Sequence, residues 1–271
     1  MENIRQAVER AKARSAYQSE PSLKPPPHEV RHAFGLGQED RALPELELDP
    51  TYLQSRRIVG YDGKDIRSRP FDLLRTEVLS SMELKGWKVL AVTSPTQGCG
   101  KTLVAVNLAL SMARQSNCQV CLADLDLRKP QVAASLGLKH RQGVLDVLEG
   151  RAAIDSAGVL ARVGSSRLEV IPTMASSDPS DLVASPAMKA FLQDLAGQGR
   201  SRIVILDLPP LLAGHDVLSI LPQMDCVLLV AAVGTSKVSE IEDCYKYLQA
   251  TDVVRFVLNK APESAARYAY Y

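Results

Sequence analysis

The sequence lacks most of what would send a protein to a membrane, a nucleic acid or an oxidising compartment. Its apolar runs break after several residues, well short of the roughly 20 that cross a bilayer. Neither charge dominates: 32 Lys and Arg stand against 31 Asp and Glu, so nothing in the balance calls for a polyanionic partner such as nucleic acid. Cysteine is scarce and odd in number; five scattered thiols suit a reducing compartment better than a disulfide framework. Cys118 and Cys121 make one Cys-x-x-Cys, but no second pair stands at zinc spacing, so neither metal nor redox use is expected of them. The N-terminus is charged and amphipathic, which predicts no secretory leader. Internal repeats are absent. What remains, at 271 residues and 46% hydrophobic, is one substantial globular domain with appendages.

Residues 2–17 have helical spacing, with Ile4, Ala7, Val8 and Ala11 on one face among basic residues. The stretch Pro21 to Pro27 breaks that helix, and residues 28–50 are polar without a clear period. Residues 1–50 are therefore expected to form an arm with one short helix. Pro70 is suited to a helix's first turn, and Phe71, Leu74, Val78 and Met82 follow at helical spacing. Trp87 to Thr93 reads as a strand, and Lys101 to Arg114 as a helix. Further strands are expected at Val120–Ala123, Leu168–Ile171, Ile203–Leu206, Val227–Val233 and Val253–Leu258. Nearly continuous apolar strands alternating with helices predict an α/β fold: a mostly parallel central sheet covered by helices on both faces. Ligands of such sheets bind beyond the carboxyl ends of the strands.

Three motifs lie at such ends. Residues 94–102, Ser-Pro-Thr-Gln-Gly-Cys-Gly-Lys-Thr, resemble a phosphate loop in which Pro95 stands where the first glycine is usual. Gly98 and Gly100 let backbone amides approach phosphate oxygens, and the helix that follows adds its positive end. Lys101 is placed for the β and γ phosphates, and the Thr102 hydroxyl for Mg2+. Asp124 and Asp126 close the next strand two residues apart, and so share a face of an extended chain. Carboxylates there can hold Mg2+ or accept a proton from an attacking hydroxyl, and Asp207 closes a further apolar strand. Aspartates also end strands simply as caps or turn residues.

With these residues in view, the chain resembles the bacterial tyrosine kinases, or BY-kinases, within the MinD- and ParA-like P-loop ATPases. The resemblance covers residues 60–271. Asp124-x-Asp126-x-Arg128-Lys129-Pro130 resembles the family's Walker A′ motif, and Ile203 to Pro210 its Walker B strand. Residues 66–76, with Arg67, Arg69 and Arg75, resemble a segment that supports ring-shaped oligomers in the family. Val257-Leu258-Asn259-Lys260 resembles the strand whose asparagine meets adenine. Cys99 stands where an acidic residue is common, Leu103 where a hydroxyl is, and Leu208 where threonine is. The resemblance implies a protein-tyrosine kinase that uses ATP and Mg2+. It implies nucleotide contacts at Gly98, Cys99, Gly100, Lys101, Thr102, Leu103 and Asn259. Catalytic roles fall to Lys101, Asp124, Asp126 and Asp207, and metal contacts to Thr102, Asp126 and Asp207. It further implies a cytoplasmic homo-oligomer working in capsule or exopolysaccharide production, recruited to the inner face of the membrane by the cytoplasmic segment of a polysaccharide co-polymerase-type membrane protein.

Three of the last four residues are tyrosine, against five among the preceding 267. Behind a kinase-like core, Tyr268, Tyr270 and Tyr271 are expected to be phosphoacceptors, borne by a tail at 263–271 behind a kinase domain at 51–262. Aromatic ends can also merely dock on a surface or pack in an oligomer. Two alternative functions stay open. One is a MinD- or ParA-like ATPase of spatial regulation, which would generally carry a lysine where Thr96 stands. The other is a nucleotide-binding scaffold without kinase activity.

Overall fold

The computed structural model describes residues 43–116, 118–197, 202–214, 216–249 and 251–262. The helix expected at 2–17, the proline-rich stretch and the tyrosine tail lie outside them. In chain order the elements are β1 (Glu45–Glu47), α1 (Pro50–Ser55), α2 (Arg69–Lys85), β2 (Val89–Thr93), α3 (Lys101–Ala113), β3 (Gln119–Asp124), α4 (Val132–Leu136) and α5 (Val144–Leu148). They continue with β4 (Val159–Val163), β5 (Ser166–Ile171), α6 (Pro179–Val183), α7 (Pro186–Gly197), β6 (Arg202–Asp207), α8 (Asp216–Ile220), β7 (Cys226–Ala232), α9 (Val238–Tyr247) and β8 (Asp252–Asn259).

The described strands form one sheet in the order β1-β4-β5-β3-β6-β2-β7-β8. Every neighbouring pair is parallel except β4 and β5, whose tight antiparallel turn contains Gly164 at a left-handed φ of 56°. The central strands are buried on both faces, which is why they read as continuous apolar runs. Along β2, Leu90 and Val92 pack with α2 and α3, whereas Val89 and Ala91 pack with α7 and α9. Register then positions the site. Asp124 lies directly beside Asp207 across β3 and β6, and Val92 of β2 lies beside Asp207 on its other side. The phosphate loop and two aspartates are thereby delivered together to the carboxyl ends of three adjacent interior strands.

Three expectations change here. Residues 28–50 read as aperiodic, yet Glu45–Glu47 adds a parallel strand at the sheet's edge; three half-exposed residues are too few to show a period. The strand β4 was not expected either, because its exposed Arg162 interrupts the apolar run. The third concerns Arg75. Its guanidinium turns inward, donating to the Ser111 carbonyl and hydroxyl and to Asp72 at 3.1–3.2 Å. Asp72 also receives Arg114 and the Ser111 hydroxyl, so Arg75 belongs to a polar joint between α2 and α3 and not to an outward contact. Arg67 likewise pairs within the chain, with Asp65 at 2.6 Å.

A second buried joint fixes the chain ahead of α2. The Asn107 carboxamide oxygen accepts the Val59 and Gly60 amides at 2.7 and 2.8 Å. Its nitrogen donates to the carbonyls of Arg57 and Leu103. All four hydrogen-bonding positions of a fully buried side chain are used. Asn107→Ala would strand two buried amides at about 1–3 kcal/mol each. The expected result is a loss of about 2–6 kcal/mol of stability, seen by circular dichroism as a lower urea midpoint with an unchanged slope.

Candidate nucleotide and phosphotransfer site

The loop between β2 and α3 is held from three sides. Gly98 and Gly100 take left-handed φ of 80° and 88°. A Cβ at Gly100 would also lie 2.3 Å from the Asn259 side-chain nitrogen, so only glycine fits. The chain after β6 latches the loop's first residues: the amides of Leu211 and Leu212 donate to the carbonyls of Ser94 and Pro95. Asn259, at the end of β8, donates its amide to the Cys99 carbonyl at 2.9 Å. Cys99 is buried with its sulfur 3.3 Å from the Ser236 hydroxyl. Its side chain thus braces the loop from behind.

Lys101 is the hub. Its ammonium lies 3.0 Å from Asp126 Oδ2 and 3.2 Å from Asp207 Oδ1. The Thr102 hydroxyl donates to Asp207 Oδ2 at 2.6 Å. Lys101, Asp124, Asp126 and Asp207 are all buried. Burial works against the ammonium, but the charges of Asp207, Asp126 and Asp124 outweigh it and hold the Lys101 pKa above the ordinary lysine value. Burial pushes the Asp124 carboxyl up to about 7, reinforced by the Asp207 charge. Asp207 is also raised by burial, against the pull of Lys101 and Thr102. Three carboxylates sharing one ammonium leave this buried cluster short of positive charge.

The structure separates the two aspartates that sequence spacing had placed together. Asp124 ends β3, and its oxygens accept the backbone amides of Asp126, Gln131 and Val132 at 2.9–3.1 Å. It fixes the turn that carries Asp126 and starts α4, the capping role open to any strand-end aspartate. Asp126 sits in that turn and, with Lys101 and Thr102, lines a cavity of about 410 Å³. Gly98, Gly100 and Leu103 line it too, whereas Cys99 and Asn259 support the loop behind it.

Two lining residues had no assigned role in the sequence. Lys129 reaches over the loop and donates to the Gln97 side chain at 3.0 Å. Arg128 is engaged with Asp216 at 2.6 Å and with the Ser180 hydroxyl. The dipeptide Arg128-Lys129 after the aspartate motif was the available signal; Gln97 carried none.

The donor set is all hard oxygen: a hydroxyl and carboxylates, with Lys101 already standing as a cation between Asp126 and Asp207. Those residues fit Mg2+, which is commonly held by one or two carboxylates together with substrate phosphates. Among the described residues no group of three or more His, Cys, Asp or Glu side chains forms a metal site by itself.

A family model described as ParA, the NUBPL iron-transfer P-loop NTPase, matches residues 86–255. EpsB of Ralstonia solanacearum, whose name places it among tyrosine-protein kinases, is 32% identical over 222 residues, 81% of this chain and 28% of EpsB. The chain thus spans little more than a quarter of that relative. The tyrosine-protein kinase YwqD of Bacillus subtilis is 26% identical over 223 residues, 81% of this chain and 92% of YwqD. The kinase domain of the Escherichia coli tyrosine kinase ETK superposes with a TM-score of 0.65 at 25% identity, covering 73% of this chain and 79% of that domain.

Proposed function

The chain belongs to the ParA family of P-loop NTPases, in the group of the bacterial tyrosine kinases, and from that premise we propose that it is an ATP-dependent protein-tyrosine autokinase of capsule or exopolysaccharide production. The observation that carries the reading is the Lys101–Asp126–Asp207 cluster on a cavity of phosphate-binding geometry, in a chain whose sequence ends in tyrosines.

The residues divide the work as follows. Loop amides and Lys101 bind the phosphates of ATP, and Asp207 holds Lys101 and Thr102 in place for them. Thr102, Asp126 and Asp207 would hold Mg2+, which when bound would neutralise phosphate charge. Asp126, which lines the cavity, is the carboxylate that meets an incoming tyrosine. The phenolic oxygen bonds to the γ-phosphorus, the bond from that phosphorus to the β-phosphate oxygen breaks, and ADP leaves. The phenolic proton passes to the Asp126 carboxylate. Asp124 acts through the backbone it holds. Asn259 reaches adenine from its place behind the loop.

The acceptors are Tyr268, Tyr270 and Tyr271 of a neighbouring subunit in a homo-oligomer, a head-to-tail ring being the closed form such contacts give. Tyr268 lies nine residues beyond Asn259, a reach of roughly 30 Å at full extension, with Pro262 restricting the path. A tail of that length meets a neighbour's site more readily than it folds back on its own. No helix among the described residues is long and apolar enough to cross a membrane. This reading places the protein at the inner face of the cell membrane through a membrane partner's cytoplasmic segment. Oligomer, partner and location are carried over from the kinase group together with this reading.

Incubation with Mg2+ and ATP, with and without such a segment, followed by phosphotyrosine mapping, tests the activity. ATP turnover without phosphotyrosine under either condition would favour the spatial-regulation ATPase instead. For the subunit question, a Lys101→Met protein with an intact tail is mixed with an active protein carrying Tyr268, Tyr270 and Tyr271 as Phe. Phosphate is expected on the inactive protein's tail. Its absence there, with wild type modifying itself at a rate independent of concentration, would overturn transfer between subunits.

A further inference from the structure

The charge balance of the cavity leaves one cation unexplained. Three cationic side chains line it: Lys101, Arg128 and Lys129. Lys101 is shared between Asp126 and Asp207, and Arg128 is paired with Asp216. Lys129 has a neutral partner, the Gln97 carboxamide oxygen at 3.0 Å, and no carboxylate within ion-pair distance among the described residues. A lysine held over a phosphate loop by an amide, with no counter-ion of its own, is a cation kept available for an incoming anion.

Its position says which part of the anion. The Lys129 backbone amide donates to Asp126 Oδ1 at 3.1 Å, while Asp126 Oδ2 faces Lys101. The Asp126 carboxylate thus lies between the Lys101 ammonium and the Lys129 backbone; the Lys101 side chain is buried at the floor of the cavity, and the exposed Lys129 side chain lines the same cavity with its ammonium on Gln97. Asn259 and the Cys99 carbonyl lie behind the loop, away from this end. Gln97 belongs to the loop itself, so its contact with Lys129 joins the Asp124–Pro130 turn to the loop across the opening.

We infer that Lys129 is a second phosphate-binding lysine: its ammonium leaves Gln97 to engage the terminal phosphate of ATP from the side opposite Lys101, and Gln97 positions it for that exchange. This rests on the site being one for ATP, but not on tyrosine being the acceptor. It makes the protein distinguish ATP from ADP by a residue outside the loop. It also gives the site a cation that is withdrawn to Gln97 when the terminal phosphate has gone.

The test is binding, measured by calorimetry with Mg2+ on full-length protein, using ADP and a non-hydrolysable ATP analogue. Lys129→Met should weaken the analogue about 10- to 100-fold, the scale of one charge-assisted hydrogen bond, and leave ADP within about threefold. Lys129→Arg keeps the charge and should retain most of the preference for the analogue. Gln97→Ala should reduce that preference less than Lys129→Met does. Equal weakening of both nucleotides by Lys129→Met would mean that Lys129 only braces the loop, and would overturn the inference. So would an unchanged preference. Wild-type protein that binds nucleotide but forms no phosphotyrosine would sink the kinase reading and leave this one standing.

Discussion

Lys101→Met is expected to abolish phosphotyrosine formation and, separately, to make the folded protein sensitive to alkali. On the proposed reading, loss of the ammonium removes a positive charge from the transferred phosphate, for which a fall of at least about 1,000-fold is expected, since phosphoryl transfer depends mainly on positioning and charge stabilisation. The second effect follows from burial. Lys101 is the cation that holds down the carboxyl pKa values of Asp124 and Asp207, and without it both rise further. A carboxyl whose folded pKa lies above its unfolded value binds protons more tightly in the native state, so stability falls as pH rises through the interval between the two. For Asp124 that interval already runs from 3.8 to about 7. Lys101→Met should therefore approach wild-type melting near pH 5 and melt clearly lower at pH 8. Thermal melts across that range, with phosphotyrosine blots, check both halves. Wild-type phosphotransfer by the variant would remove Lys101 from the site, and an identical melting difference at both pH values would refute the charge argument.

Asp207→Asn should also damage activity, though less than Lys101→Met, and should be opposite in its effect on stability. Asp207 is fully buried and anchors both Lys101 and Thr102. Its loss as a charge should lower phosphotransfer by about 100- to 1,000-fold, the scale seen when one preorganised electrostatic contact is removed. In the nucleotide-free protein, however, Asn keeps the shape and one acceptor oxygen, enough for the Lys101 ammonium or the Thr102 hydroxyl but not both, while lifting one negative charge from an over-acidic cluster in which Lys101 keeps Asp126. The variant should melt at or above the wild-type temperature at pH 8. An inactive variant that also melts well below wild type would show that the Asp207 charge holds the fold together, and the account of the cluster given above would be wrong.

The sheet was legible because its central strands are buried on both faces. Val89–Thr93, Arg202–Asp207 and Cys226–Ala232 could be read as strands from apolarity alone, and the motifs at their ends followed. The edge was not legible: β1 has three residues, and the exposed Arg162 breaks β4, so neither carries a run that stands out. The phosphate loop, Asp126 and Asp207 come together as their motifs suggested. What spacing could not supply was the direction of side chains. Asp124 and Asp126 look equivalent in sequence, yet β3 ends between them, giving one to the backbone and the other to the cavity. The arginines before and within α2 look alike too, and only the packing of that helix on α3 turns Arg75 inward. Lys129 finds Gln97 from 32 residues away, through a turn whose shape no local pattern encodes.

The place of β2 inside the sheet, between two strands made much later, has a consequence for how the protein is made. Its neighbours are β6 and β7, so Val89 meets Val204 and Leu90 meets Cys226 across more than 100 intervening residues. A growing chain on the ribosome would carry the whole phosphate loop early, yet that loop would have no flanking strand, no Asp207 to hold Lys101 and no Leu211 or Leu212 to latch it. Closing so long a loop is slow, because its entropy is lost before the contacts form. Nucleotide therefore cannot assist the first half of the chain to fold, and can act only once synthesis has passed residue 232. Until then the apolar edges of β2 await partners that have not yet been translated, which makes the interval before β6 emerges the period in which this protein most needs protection from aggregation.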